Sequence, residues 1–287
     1  MTSKYHKTIG KHLFVFVVSV VFASGSLFSQ NLYDLNNSER YADYLLLSNQ
    51  YKLAAEEYER LTFLDKQNEE YKVKLLQSYR KSGNYSQAIN RAYSFNKGSL
   101  FDLSRGLSVE YLSSLIFADS LIEIKAFLQH NTTLKEEDKN IFECSSKLLL
   151  GEYRNNKKLC VSYGQSEGKI PKRLEIIANK ALDNSFKSPV LAGGLSTVIP
   201  GLGKVYTKNY TDGIMSLLFI VGTAWQSYKG FKNKGNKSIS GWLFGSISLG
   251  FYIGNIYGST KAAKRYNKLK LNETNDEVYN FIQHYSF

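Results

Sequence analysis

Two stretches of this chain, NQYKLAAEEYERL (49–61) and GNYSQAINRAYSF (83–95), align without a gap at an offset of 34 residues. Tyr51 falls on Tyr85, Ala54 on Ala88, Tyr58 on Ala92 and Leu61 on Phe95. Two periods beyond Gly83 stands Gly151, and Tyr153 again follows that glycine by two. A period of this length cannot be one closed core. It is one supersecondary unit that must bury its apolar face against the next copy. Ahead of Gly83, Leu75 and Tyr79 lie four apart, on one face of a helix.

These residues resemble the tetratricopeptide repeat, whose helix pairs carry a turn glycine, an aromatic two residues later and a small residue three beyond that. Gly83, Tyr85 and Ala88 hold those positions, and Asn49 replaces the glycine in the first copy. The resemblance covers 35–96 well and 97–183 weakly, since 107–129 keeps apolar spacing without the Gly–aromatic signature and the fourth copy has Asn156 for the small residue. It implies an all-α helical solenoid over 30–187, with Ala88 between paired helices. It also implies a concave face for a protein or peptide, lined by Glu39, Asp43, Val73, Gln77 and Arg80; against this stands the plainer reading of solvated helix surface. IPKRLEIIANKALDNSF (170–186) reads as a closing amphipathic helix, with Pro171 at its start and Leu174, Ile177, Ala178 and Leu182 on one face.

Composition changes after residue 187. Three apolar blocks follow, at 189–206, 213–228 and 241–258, with no acidic residue and Lys204 as their one cation. Each is slightly shorter than the ~20 residues that cross a bilayer. Trp225, Tyr228, Trp242 and Tyr257 stand near block ends, as interfacial aromatics do. In the third block Ser246, Gly250, Gly254 and Gly258 recur every four residues, a small-xxx-small strip suited to close helix packing in lipid. A buried soluble helix is the competing reading, although interior glycines cost about 1 kcal/mol each relative to alanine in water.

IPGLGKVYTKNYTDGIMSLLFI resembles the start of TM2-type membrane domains: Gly201, Gly203 and Tyr206, a polar turn from Thr207 to Asp212, then Gly213 opening a second apolar helix. The resemblance covers about thirty residues, leaves the third block outside a simple two-helix module, and implies a kinked or re-entrant first segment. The whole stretch 188–270 reads as a membrane module of two to three apolar helices built on a glycine-rich transmembrane helical hairpin, with a C-terminal tail at 271–287. Basic stretches at 229–237 and 261–270 compete under the positive-inside rule. A re-entrant first block puts 229–237 in the cytoplasm, a spanning one puts 261–270 there, and the former is preferred.

The N-terminus narrows the compartment. Lys4, Lys7 and Lys11 precede the apolar run LFVFVVSVVFA (13–23), and small residues follow it. That is the layout of a secretory signal peptide over 1–29, cleaved after Ser29 or near Gly25, with a retained anchor as the alternative. Export to a periplasmic side of the cell envelope argues against nucleic acid as the partner of a chain with net charge +12. It also exposes Cys144 and Cys160 to oxidation, and a disulfide and two buried thiols stand as equal alternatives.

Signals for chemistry are weak. There is no GxSxG, no HExxH and no Cys/His cluster, and GLGK (201–204) lacks the loop and hydroxyl of a phosphate cradle. The chain reads as a non-enzymatic adaptor with no cofactor and no metal. A protein would occupy its repeats, and lipid and other membrane helices its C-terminal module. The alternative is a transport or channel-like subunit whose repeats recruit partners.

Overall fold

The structure is a computed structural model that describes residues 34–95, 99–152 and 170–285. The expected signal peptide, Tyr153, Asn156 and Cys160 lie outside these residues. Every regular element among the described residues is helical, so the all-α expectation holds. The chain divides into two compact units, 1–91 and 92–287.

The first unit holds α1 (Leu35–Leu47), α2 (Tyr51–Leu64), α3 (Glu69–Lys81) and the start of α4 (Tyr85–Phe95). Helix α2 packs on both α1 and α3. Asn68 starts α3 by accepting the Tyr71 amide at 3.2 Å, with Glu69 and Glu70 in the first turn and Arg80 and Lys81 in the last, matching the helix dipole. The core consists of Ala42, Ala54, Tyr58, Leu61, Leu75 and Leu76, each at most 2% exposed; Ala88 is also fully enclosed.

The second unit continues with α5 (Arg105–Phe117), α6 (Leu121–His130), α7 (Glu136–Leu149) and α8 (Lys172–Asp183). Helix α5 is buried from Gly106 to Ile116, and the enclosed stretch includes Ser108, Glu110, Ser113 and Ser114 beside its apolar residues. It packs on α6, on α7 and on the C-terminal helix.

One backbone feature recurs through both units. Asn49, Gly83, Asp119 and Gly151 all have positive φ, at 62°, 83°, 58° and 70°. At the first three the chain leaves its helix in the same way: the residue before bonds to a carbonyl four back, and the residue after to one five back. This left-handed turn frees the chain to reverse into the partner helix. The copy at 107–129, whose glycine is missing, keeps the turn because aspartate tolerates this geometry.

Residues 189–206 form two short helices, α9 (Pro189–Val198) and α10 (Leu202–Tyr206). Ser188 caps α9, with Pro189 where no amide donor is needed. Between the helices Gly201 turns the chain at φ 87°. Then come α11 (Tyr210–Lys234) and α12 (Ile239–His284), joined by a short 3-10 turn over Gly235–Lys237.

The 46-residue α12 organises this unit. Its first half packs on α9, α10 and α11, and its second on α5, α7 and α8. Residues 271–285, expected as a tail, are helix end and core: Val278 and Ile282 are fully buried, and Tyr279 stacks on Phe117 with centroids 5.7 Å apart. Asn267 pins the chain ahead of α9, exchanging two 2.8 Å hydrogen bonds with the Lys187 backbone. The expected boundary at 187 thus falls inside the second unit.

Candidate functional site

The carboxylates assigned to the concave face are engaged within their own unit. Glu39 accepts the Tyr71 hydroxyl at 3.0 Å. Asp43 accepts the Lys74 ammonium at 2.8 Å and the Tyr58 hydroxyl as well. Burial pushes the Asp43 carboxyl up, but the bonds from Lys74 and Tyr58 outweigh it and hold it below the ordinary carboxylate value. Burial and the Glu39 hydrogen bond together push the Tyr71 hydroxyl up to about 12. Val73 and Gln77 are half-buried. Arg80 departs from the expectation: at 2% exposure it is interior and lines no open groove. Register assigns a helix face, but the covering of the last turn of α3 decides what that face meets.

The hairpin of α11 and α12 shows a second departure. Ser246 is exposed, and a Cβ added at Gly250 or Gly254 would meet nothing within 4 Å. At Gly258 it would meet the Lys204 stem at 3.5 Å. The glycines that let helices touch are others. A Cβ at Gly241 would lie 2.8 Å from the Phe231 ring, and one at Gly245 2.9 Å from Ser227 Oγ. Ser227 donates to the Gly241 carbonyl at 2.7 Å, and Ser248 to that of Ile220 at 3.1 Å. Further along, Gly193 of α9 meets Thr260, and Ser196 bonds Ser259 at 2.7 Å.

The buried face of α12 therefore runs through Gly241, Asn255, Ser259 and Ala263, with Gly245 and Ser248 between. Successive positions are separated by four, three, seven, four and four residues. A strict four-residue strip advances about 40° beyond a full turn at each step and drifts off any straight contact line.

Outward from these contacts the hairpin is greasy. Leu218, Phe219, Val221 and Trp225 on α11, and Trp242, Leu243, Leu249 and Ile253 on α12, are each 52–62% exposed. Yet the transmembrane hairpin is not found in the expected form: no helix among the described residues is long and apolar enough to cross a membrane. The reason is dilution. Glycine, serine, threonine, asparagine and tyrosine interrupt both apolar runs, and α12 continues into the basic stretch 261–270.

A cavity of about 300 Å³ opens beside the unpacked glycines. Gly250, Gly254 and Asn255 form one wall, Met215, Phe219 and Ile220 another, and Lys204 and Asp212 one end. Phe219 and Phe251 stack across it with centroids 5.8 Å apart. Asn255 is 4% exposed, and neither its Oδ1 nor its Nδ2 has a hydrogen-bond partner. Lys204 donates to Ser216 Oγ at 2.8 Å. Lys204 and Asp212 also line a second cleft of about 510 Å³, together with Lys208, Lys261 and Arg265. Sequence patterns do not reveal this site. Its signals are single residues, the amide of Asn255 and the lone cation Lys204 inside apolar blocks.

Among the described residues no cluster of His, Cys, Asp and Glu could hold a metal. Cys144 is fully buried. No protein-family model, no curated protein and no solved structure matches this chain.

Proposed function

We propose that this chain is a non-enzymatic adaptor of the cell envelope. Its helix pairs present a surface to a protein partner, and its C-terminal hairpin seats it in lipid. The observation that carries the reading is the apolar belt of α11 and α12. It faces outward from a hairpin whose helices touch at Gly241, Gly245 and Ser248, and it is larger than single scattered apolar residues would make. No single helix is apolar enough to cross alone, so the seat is the packed group of α9, α11 and the first half of α12. Trp225 and Trp242 flank the hairpin turn, where basic Lys229, Lys232, Lys234 and Lys237 also cluster. That combination suits an interface with anionic headgroups.

The four left-handed turns support the tetratricopeptide-like reading of the helix pairs, and the kink at Gly201 supports the TM2-like reading of α10 and α11. The export side, the signal peptide and the partner's identity stand as parts of this proposal.

The test is flotation of the full chain with vesicles of phosphatidylcholine and phosphatidylglycerol, followed by a carbonate wash. The proposal expects the protein to float and to stay with the pelleted vesicles. Recovery in the wash supernatant would remove the lipid seat and leave only a helical adaptor.

A further inference from the structure

The cavity beside Asn255 and the basic cleft share Lys204 and Asp212 in their walls, and taken together they form an amphipathic slot. We infer that the slot holds a single anionic phospholipid, with its phosphate in the cleft and one acyl chain along the glycines. The inference takes its ligand from the lipid seat proposed above.

Three independent observations converge on that ligand. First, the two buried polar atoms of Asn255 have no partner. An amide left so is costly, about 1–3 kcal/mol, unless something else completes it. A phospholipid ester carbonyl accepts from Nδ2. Second, Gly250 and Gly254 leave open space where any larger side chain would stand. Their bare backbone, with Phe219 opposite, forms an apolar gutter. Third, the adjoining cleft carries Lys204, Lys208, Lys261 and Arg265 against one carboxylate, Asp212. Asp212 is itself occupied, accepting from Asn209 Nδ2 at 2.6 Å. Four cations against one anion favour a headgroup of net negative charge over a zwitterionic or neutral one. Lys204 lines both chambers. It stands where a phosphate must pass into a glycerol backbone.

A purely structural role for Asn255 predicts otherwise. A buried amide with no partner weakens a fold, and leucine of similar size would serve better. Function explains its presence where packing does not.

The experiment titrates the full chain, in mild detergent, with dihexanoyl phosphatidylglycerol below its micelle concentration. Parallel titrations use dihexanoyl phosphatidylcholine, glycerol phosphate and inorganic phosphate. The wild-type chain should bind the phosphatidylglycerol probe at one site, about tenfold or more tighter than the other three. Asn255→Leu should lose about tenfold while melting no lower than wild type. Lys261→Gln with Arg265→Gln, both at exposed positions, should lose at least as much and keep the melting temperature. Equal binding of inorganic phosphate would assign the cleft to free phosphate and overturn the lipid. Equal binding of phosphatidylcholine would overturn the anionic headgroup. Unchanged affinity in all variants would overturn the site. Because the titration contains no vesicles, these outcomes are independent of flotation, and either result can fail alone.

Discussion

The guanidinium of Arg105 grips the carboxylate of Asp138 in a two-point bond, Nε to Oδ2 at 2.7 Å and Nη2 to Oδ1 at 2.9 Å. Asp138 is fully buried and also accepts the Tyr285 hydroxyl at 2.6 Å and the Lys135 amide at 3.2 Å. One carboxylate thereby joins the start of α5, the first turn of α7 and the end of α12.

Asp138→Ala should cost about 2–3 kcal/mol. That lies below the value for a fully buried pair, because Arg105 is 30% exposed and water can take over its charge. Burial pushes the Asp138 carboxyl up, but the Arg105 and Tyr285 bonds outweigh it and hold it below its ordinary value of 3.8. A lowered carboxylate stabilises the fold above its unfolded value, and that stability is lost as pH falls through the folded value. The melting temperatures of wild type and Asp138→Asn should therefore differ at neutral pH and converge below about pH 4. A gap that stays constant to pH 2 would contradict the pairing.

Asp119 holds a turn where its neighbours in the series have glycine or asparagine. Asp119→Gly should leave stability unchanged or raise it by up to about 1 kcal/mol, and Asp119→Val should lower it by about 1–2 kcal/mol. Thermal melting of the two variants checks this. Equal effects would mean that the turn does not need left-handed backbone.

Arg80 and Gln77 share the expected partner surface, and the structure separates them. Arg80→Ala should cost about 2–3 kcal/mol, because an enclosed and partnered guanidinium is removed. Gln77→Ala should change stability by less than about 0.5 kcal/mol. Urea titration of both distinguishes them, and similar midpoints would return Arg80 to the surface.

Gly241→Leu and Gly254→Leu should behave oppositely. The first drives a side chain into the Phe231 ring and should cost about 1–3 kcal/mol while weakening crosslinks between cysteines placed on α11 and α12. The second enters open space and should keep both. Loss of crosslinking in Gly254→Leu alone would restore the four-residue strip as the packing face.

Legibility in the sequence follows the range of the physics. The repeat is readable because Tyr51, Ala54, Tyr85 and Ala88 report local helix pairing, and a turn glycine announces itself. The turn at Asp119 is not, since aspartate is common on any surface and its left-handed backbone shows only in coordinates. Arg80 is misplaced by its sequence because a charged residue on a helix face normally points to water. The C-terminal segment 271–285 looks like a tail because its apolar residues, Val278, Phe281 and Ile282, are few. They become core only when α5, α7 and α8 come to meet them. The slot at Asn255 unites three segments, and no single segment carries its pattern.

The central claim is the lipid seat, and the chain carries its own reporters. It has two tryptophans. Trp225 is 60% exposed and Trp242 62% exposed, both on the hairpin. Their emission should be recorded as vesicles of phosphatidylcholine and phosphatidylglycerol are added to the full chain diluted out of detergent. A second set of vesicles carries bromine on the acyl chains. The account predicts a shift to shorter wavelength and strong quenching by the brominated lipid. Emission that keeps its aqueous wavelength, with no quenching by bromine, would contradict it.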